Sequence, residues 1–279
     1  MTDIVRSIDP STIASVIEAN INAYLLSFAR IPGSHLRQDS QCAWVDSGIA
    51  DSTFNSVVLA RFSPESVAAE IETILAHFRA RSLPFTWHIG PGSGPPDLGD
   101  RLLAHGLNHD EDEPGMAVDL DRARDDFAIP SGLEITPVRD QSDLREWVNV
   151  WLFGAPPHIR EIYFGALRQR GLGDDLPWHY YLGRVAGRPV AISELFMGEG
   201  VASVQYVVTV PEVRRRGIGA ALTQHVTREA RARGYRVAVL TASPSGIGIY
   251  RRMGFKAYCW FHRYTWDPPS EASPTPTAG

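Results

Sequence analysis

Three arginines run directly into a Gly-x-Gly turn in VPEVRRRGIGAAL (residues 210–222), and this stretch carries the most specific chemistry of the 279-residue chain. A helix starting at such a turn offers unpaired backbone N–H groups and the positive end of its dipole, and both favour an anion. Glycines at 217 and 219 remove the Cβ atoms that would keep a bulky anion away from those N–H groups. Arg214, Arg215 and Arg216 add charge and forked donors at the mouth. The turn therefore reads as a seat for a phosphate or pyrophosphate. A P-loop is excluded because no Lys-Ser/Thr pair opens the helix, and a dinucleotide fingerprint because Leu222 holds the third glycine position.

The elements that must position this turn follow from periodicity. LEITPV (133–138) reads as a strand, and DLREWVNVWLFG (143–154) and HIREIYFGALRQRG (158–171) as helices. Residues 179–210 contain three strands with turns at Ala186-Gly187 and Gly198–Gly200. A helix runs from Ile218 and stops at Gly234, and RVAVLT (236–241) is a strand without alternation, so both of its faces should be buried. GIGIYRRMG (246–254) is a short helix and FKAYCWFHRYTW (255–266) a closing strand. Residues 78–107 repeat the order of 230–255: Arg-Ala-Arg, a strand, a Gly/Ser/Pro loop, a short helix, then Gly and an apolar residue. Pro64-Glu65 stands where Pro211-Glu212 stands, but SVAAEI follows it, with neither Gly nor Arg. An internal duplication is the simplest account.

The arginine–glycine turn, after a strand ending in V-x-P-E (Val208 to Glu212), resembles the signature Arg/Gln-x-x-Gly-x-Gly/Ala of the GCN5-related N-acetyltransferases, the GNAT superfamily, through Arg214, Gly217 and Gly219. Tyr250, Gly254 and Phe255 match a second family pattern downstream, although Pro244 and Ser245 stand where an Asn or another small polar residue is usual. The resemblance is strong over 133–266 and weak over 40–120. It implies an α/β fold of two tandem GNAT-like domains, each a mixed, mostly antiparallel sheet flanked by helices. The expected limits are 1–127 for a degenerate copy, 128–266 for the catalytic domain and 267–279 for a disordered Pro/Ser/Thr-rich tail.

The same resemblance implies acetyl-CoA as co-substrate. Its pyrophosphate would lie on Arg214, Arg215, Arg216, Gly217, Ile218, Gly219 and Ala220, with Ser245 nearby. Its pantetheine arm would run along the backbone of Val208 and Val210, in a slot where that strand splays from its neighbour at a β-bulge. The implied reaction is acetyl transfer to a primary amine, expected to belong to a small molecule, by direct attack in a ternary complex. A peptide or protein N-acetyltransferase and a non-catalytic acyl-CoA-binding sensor are the alternatives. Tyr250 is expected to protonate the leaving thiolate; its other reading is a packed core tyrosine. Glu194, a carboxylate in the apolar strand AISELF, is the first candidate for the general base, with His179 and the Gln205-Tyr206 pair as alternatives. Trp151, Phe153 and Tyr163 fall where the acceptor site is usually walled and are expected either to line a pocket or to pack in the helix core. The N-terminal copy has Leu102 in place of the tyrosine and is expected to be inactive.

Composition narrows the function classes. The formal net charge of −5 divides into −10 over residues 1–130 and +5 over 131–279, too small a basic excess for a nucleic-acid binder. No run of about 18 apolar residues could span a membrane, and two cysteines, Cys42 and Cys259, fit a reducing, cytoplasmic setting. The nine histidines are scattered along the chain, and no metal site is expected. The expected partners are a small-molecule amine, neither nucleic acid nor membrane, and a monomeric or homodimeric state.

Overall fold

Apolar residues at helical and alternating spacing fold the chain into two runs of elements, seen in a computed structural model that describes residues 3–269. The first run is α1 (Ile13–Leu26), β1 (His35–Gln38), β2 (Ala43–Asp46), β3 (Ser56–Val58), α2 (Val67–Ala80), β4 (Phe85–Ile89), α3 (Leu98–Ala104) and β5 (Asn108–Asp119). The second is β6 (Leu133–Pro137), α4 (Gln141–Trp151), α5 (Pro157–Arg170), β7 (Trp178–Val185), β8 (Arg188–Gly198), β9 (Val201–Thr209), α6 (Ile218–Ala232), β10 (Val237–Thr241), α7 (Ile247–Arg252) and β11 (Lys256–Trp266). Local chemistry explains the boundaries. The β7–β8 and β8–β9 hairpins turn on Ala186-Gly187 and Glu199-Gly200, whose residues all have positive φ, as two-residue type I′ turns require. Asp140 caps α4 by accepting from the Asp143 N–H at 2.9 Å. The tail expected from residue 267 lies, from 270 on, outside the described residues.

The duplication expected from the sequence is visible in the connections. In each half a helix links two parallel strands, α2 between β3 and β4 and α6 between β9 and β10. A short helix and an antiparallel strand follow, α3 and β5 in one half and α7 and β11 in the other. The two mixed, mostly antiparallel sheets join into a single eleven-stranded one, ordered β1-β2-β3-β4-β11-β5-β10-β9-β8-β7-β6. They join because the halves exchange their last strands. β5 pairs with β10, β11 pairs with β4, and β5 and β11 pair with each other at the centre. The segment 121–132, where a division at 127/128 was expected, crosses from β5 to β6, while the sheet runs across it.

Helices cover both faces. Ile13, Ile17 and Ile21 of α1 pack on Ala117, Val237, Val239 and Phe261. The alternate residues Ala238 and Leu240 face Val226 and Ala230 of α6. Both faces of β10 are thus buried, as its unbroken apolar run requires, and each fully buried Val or Leu contributes roughly 1.5–3 kcal/mol.

Candidate active site

The parallel pairing of β9 and β10 lasts only two residue pairs, Ala202 with Ala238 and Ser203 with Val239. Beyond it the strands diverge. On its other side β9 carries a bulge: Ile192 and Glu194 of β8 face Val208 and Gln205, so three steps on one strand match two on the other. Tyr206 sits in the bulge at φ +48, a left-handed conformation that costs a non-glycine residue about 1–3 kcal/mol and tends to mark functional sites.

The divergence opens a cavity of about 820 Å³ between β9, the start of α6 and α7. Val208, Arg214, Arg215, Gly217, Ile218, Gly219, Ala220, Ser245 and Tyr250 line it, so most of the residues singled out in the sequence come together here. Gly217 caps α6 at φ +82, a conformation its missing Cβ allows. The first intrahelical bond is made by Ala221 to the Gly217 carbonyl, which leaves the Ile218, Gly219 and Ala220 amides without a backbone acceptor. A Cβ on Gly219 would stand 3.7 Å from Val207 and 3.9 Å from Ile249, at the slot between strand and helix. Arg252 joins Arg214 and Arg215 in the lining, no acidic residue lines the slot, and none of these arginines is ion-paired among the described residues. The Arg214 Nε donates to the Thr209 carbonyl at 2.9 Å, which fixes the guanidinium at the end of β9. The donors present fit an anionic, elongated ligand.

A second cavity, of about 470 Å³, meets the first at Val207, Ser243 and Tyr250. Its walls come from both halves: Tyr24, Ser52, Thr53, Thr86 and His88 from one, Trp151, Tyr163 and Tyr206 from the other. The Tyr163 hydroxyl donates to Asp51 at 2.9 Å and meets the Thr53 hydroxyl at 2.8 Å, tying α5 to the N-terminal half. Trp151 and Tyr206 rings lie 4.3 Å apart. Tyr250 stands at the junction, and its hydroxyl is engaged by no other described side chain. Burial, and then the charge of Glu113, push its phenol up to about 12. Burial, helped by Arg263, pushes the His88 imidazole down to about 3, so it is neutral at ordinary pH.

Several sequence expectations are corrected. Glu194 lines neither cavity. Its carboxylate is fully buried, accepts from Arg170 Nη1 at 2.9 Å and from the Tyr24 hydroxyl at 2.9 Å, and so belongs to a closed ion pair. Burial pushes it above the usual carboxylate range, with Arg170 opposing. Val210 donates its N–H to the Val190 carbonyl, its carbonyl accepts from the Val213 N–H, and it does not line the slot. Arg216 points outside the slot, Phe153 is 53% exposed, and His179 lines a separate cavity with His225 and Arg233. The sequence reading missed Glu113, Arg263 and His88, which line the second cavity from β5, β11 and β4. No local motif marks them, since the exchanged strands alone bring them together.

The N-terminal half has the matching divergence, between β3 and β4, but its own loop fills it. Gly94 bridges to Arg61, its N–H donates to the Ala60 carbonyl at 2.8 Å, and the Phe62 N–H donates to the Gly94 carbonyl at 3.1 Å. Glu18 of α1 accepts from the Gly92 amide at 3.0 Å, supplying a carboxylate of its own. Leu102 is buried in the core. On the outer face of the β5–β11 pair, His109 Nε2 and His262 Nδ1 each lie 2.7 Å from Asp112 Oδ1. The β5–β11 pairing thus brings His262 to a carboxylate 150 positions away.

The family model for the acetyltransferase (GNAT) domain matches residues 177–257, which span β7 to the start of β11 and contain the basic slot. A GCN5-related N-acetyltransferase from Kribbella flavida is similar over 90% of this chain and 95% of its own, at 22% identity and TM-score 0.67. One from Sphaerobacter thermophilus is similar over 94% of each chain, at 20% identity and TM-score 0.60. A tandem GNAT protein from the clavulanic acid biosynthesis pathway covers 95% of this chain and 97% of its own, at 14% identity and TM-score 0.57. No curated protein sequence matches the chain. Residues 177–257 thus match an acetyltransferase (GNAT) domain, and the whole chain shares the fold of the tandem GNAT protein.

Proposed function

We propose that the protein is an acetyl-CoA-dependent N-acetyltransferase that acetylates a primary amine of a small molecule by direct attack in a ternary complex. One observation carries the reading: a basic slot free of acids and a partly acidic cavity walled by both halves meet at a single tyrosine. The free amides at the start of α6, with Arg214, Arg215 and Arg252, suit the pyrophosphate. The arm would follow β9 past Val208 toward Tyr250. A neutral amine in the second cavity attacks the thioester carbonyl, the C–N bond forms and the C–S bond breaks. The Tyr250 hydroxyl then passes its proton to the departing sulfur. A phenol held near 12 stays protonated at neutral pH, which an acid requires. The acceptor cavity is walled by both halves, and its volume falls within the range of small-molecule sites, which supports a compact acceptor over an extended peptide.

The test is thiol release from acetyl-CoA against a panel of polyamines, aminoglycosides, amino acids, amino sugars and short peptides, with wild type beside Tyr250→Phe. One amine class should turn over, with kcat about 100-fold lower in the variant at unchanged acetyl-CoA affinity. Tight acetyl-CoA binding with no turnover across the panel would favour the sensor, and turnover of peptides alone would favour a peptide transferase.

A further inference from the structure

We propose that Glu113, carried on the strand that the N-terminal half lends to the other half's sheet, takes the proton from the acceptor amine, and that the acceptor enters as a small organic cation. This rests on the transferase reading above.

The placement follows from strand register. Gly115 of β5 faces Thr241 of β10 on one side and Cys259 of β11 on the other. The Ala242 N–H donates to the Pro114 carbonyl at 3.2 Å, so Glu113 comes next along β5, where β10 gives way to the loop carrying Ser243. Ser243 and Tyr250 mark the junction of the two cavities, and Glu113 lines the acceptor side of it. Its side chain is 14% exposed, within reach of a small ligand yet largely out of bulk water.

The charges around it select the ligand. Arg263 faces Glu113 with Nη1 3.6 Å from Oε1, but its nearer partners are Glu111 at 2.9 Å and Asp110 at 3.5 Å. One guanidinium shared among three carboxylates leaves the region anionic. Of the groups lining the cavity, Asp110 and Glu113 stand against Arg263, and His88 is neutral. The excess negative charge, with the Tyr24, Trp151 and Tyr206 rings beside it, suits an ammonium group on a compact body. The basic slot beyond Tyr250 repels the same cation, so its amine is held on the acceptor side of the junction.

The proton balance closes. The ammonium gives one proton to the Glu113 carboxylate, and the neutral amine forms the C–N bond. The C–S electron pair leaves on sulfur, which takes the Tyr250 proton. The second proton of the new amide nitrogen returns to the phenolate, and Glu113 releases its own to water. One proton leaves per turnover, as acetylation of an ammonium ion requires.

Glu113→Gln keeps the size and the contact to Arg263 while removing the base. With an amine that is protonated at the assay pH, kcat/KM should fall about 100-fold, and the rise of rate with pH set by an enzyme group should disappear. Acetyl-CoA affinity and thermal stability should hold. With a weakly basic aromatic amine, already neutral at the assay pH, the variant should approach the wild-type rate; a structural role would not depend on the basicity of the amine. If the variant does not fold, the wild-type pH–rate profile across amines of graded basicity decides. A limb at one fixed pH supports Glu113, whereas a limb that tracks each amine's own ionisation overturns it. Wild-type rates in Glu113→Gln with protonated amines would also overturn it while leaving the transferase reading intact. A wild type that binds acetyl-CoA but acetylates nothing would bring down both.

Discussion

Replacing Glu194 with Gln separates a structural carboxylate from a catalytic one. Arg170 and Glu194 side chains are 0% and 1% exposed. Arg170 also donates to the Tyr180 hydroxyl at 3.0 Å and to Ser27 at 2.9 Å, and its guanidinium lies 4.1 Å over Trp178. Glu194→Gln would leave that guanidinium buried without its counter-charge, which costs about 3–5 kcal/mol. In a protein of ordinary stability this is a large fraction of the total and lowers Tm on the order of 10 °C. Adding Arg170→Met removes the stranded charge. The amide oxygen introduced by Glu194→Gln can still accept from the Tyr24 hydroxyl, so the double variant should lose only about 1–3 kcal/mol, the cost of unmet hydrogen bonds. Urea unfolding of the wild type, both single variants and the double variant gives the cycle. At a temperature where Glu194→Gln is folded, its pH–rate profile should keep the wild-type shape. Two results would refute the reasoning: a single variant as stable as wild type, or a folded one that has lost the acidic limb of its profile.

Titration of the whole chain with acetyl-CoA should give one site, because the Gly94 bridge and the Glu18 carboxylate fill the N-terminal slot; calorimetry returning two equal sites would contradict this. His88 is neutral when folded and has an ordinary value of 6.5 when unfolded, so the unfolded chain binds the extra proton and stability falls as pH drops below about 6.5. Between pH 6.5 and 5 the wild type should lose on the order of 1–2 kcal/mol relative to His88→Gln, measured by denaturant unfolding at both pH values.

The C-terminal half was legible because its signals are local. Gly217 at a left-handed cap, the type I′ turns and the unalternating β10 each announce themselves within a few residues. The repeat of strand, loop and short helix was likewise legible, and its loop proved to fill the N-terminal slot. β5 was not read as a strand, because NHDEDEP shows neither alternation nor β-branched residues. Its acidic run makes sense only beside Arg263 and His262 of β11, about 150 positions away. Glu194 misled for the same reason. A carboxylate in an apolar strand signals that something unusual is present, but its partner Arg170 lies on another element.

The exchanged strands also bear on how the chain is made and kept. As synthesis proceeds from the N-terminus, β4 has an open edge until β11, the last strand, has left the ribosome, and β5 has no sheet partner until β10 appears. The first half therefore cannot finish folding during its own translation. For the same reason the first half could not be removed without loss to the second. Deleting it would strip β10 of one neighbour and β11 of both, and take a wall of the second cavity with them. A half whose own slot is filled by its loop is held in place by the strand it lends.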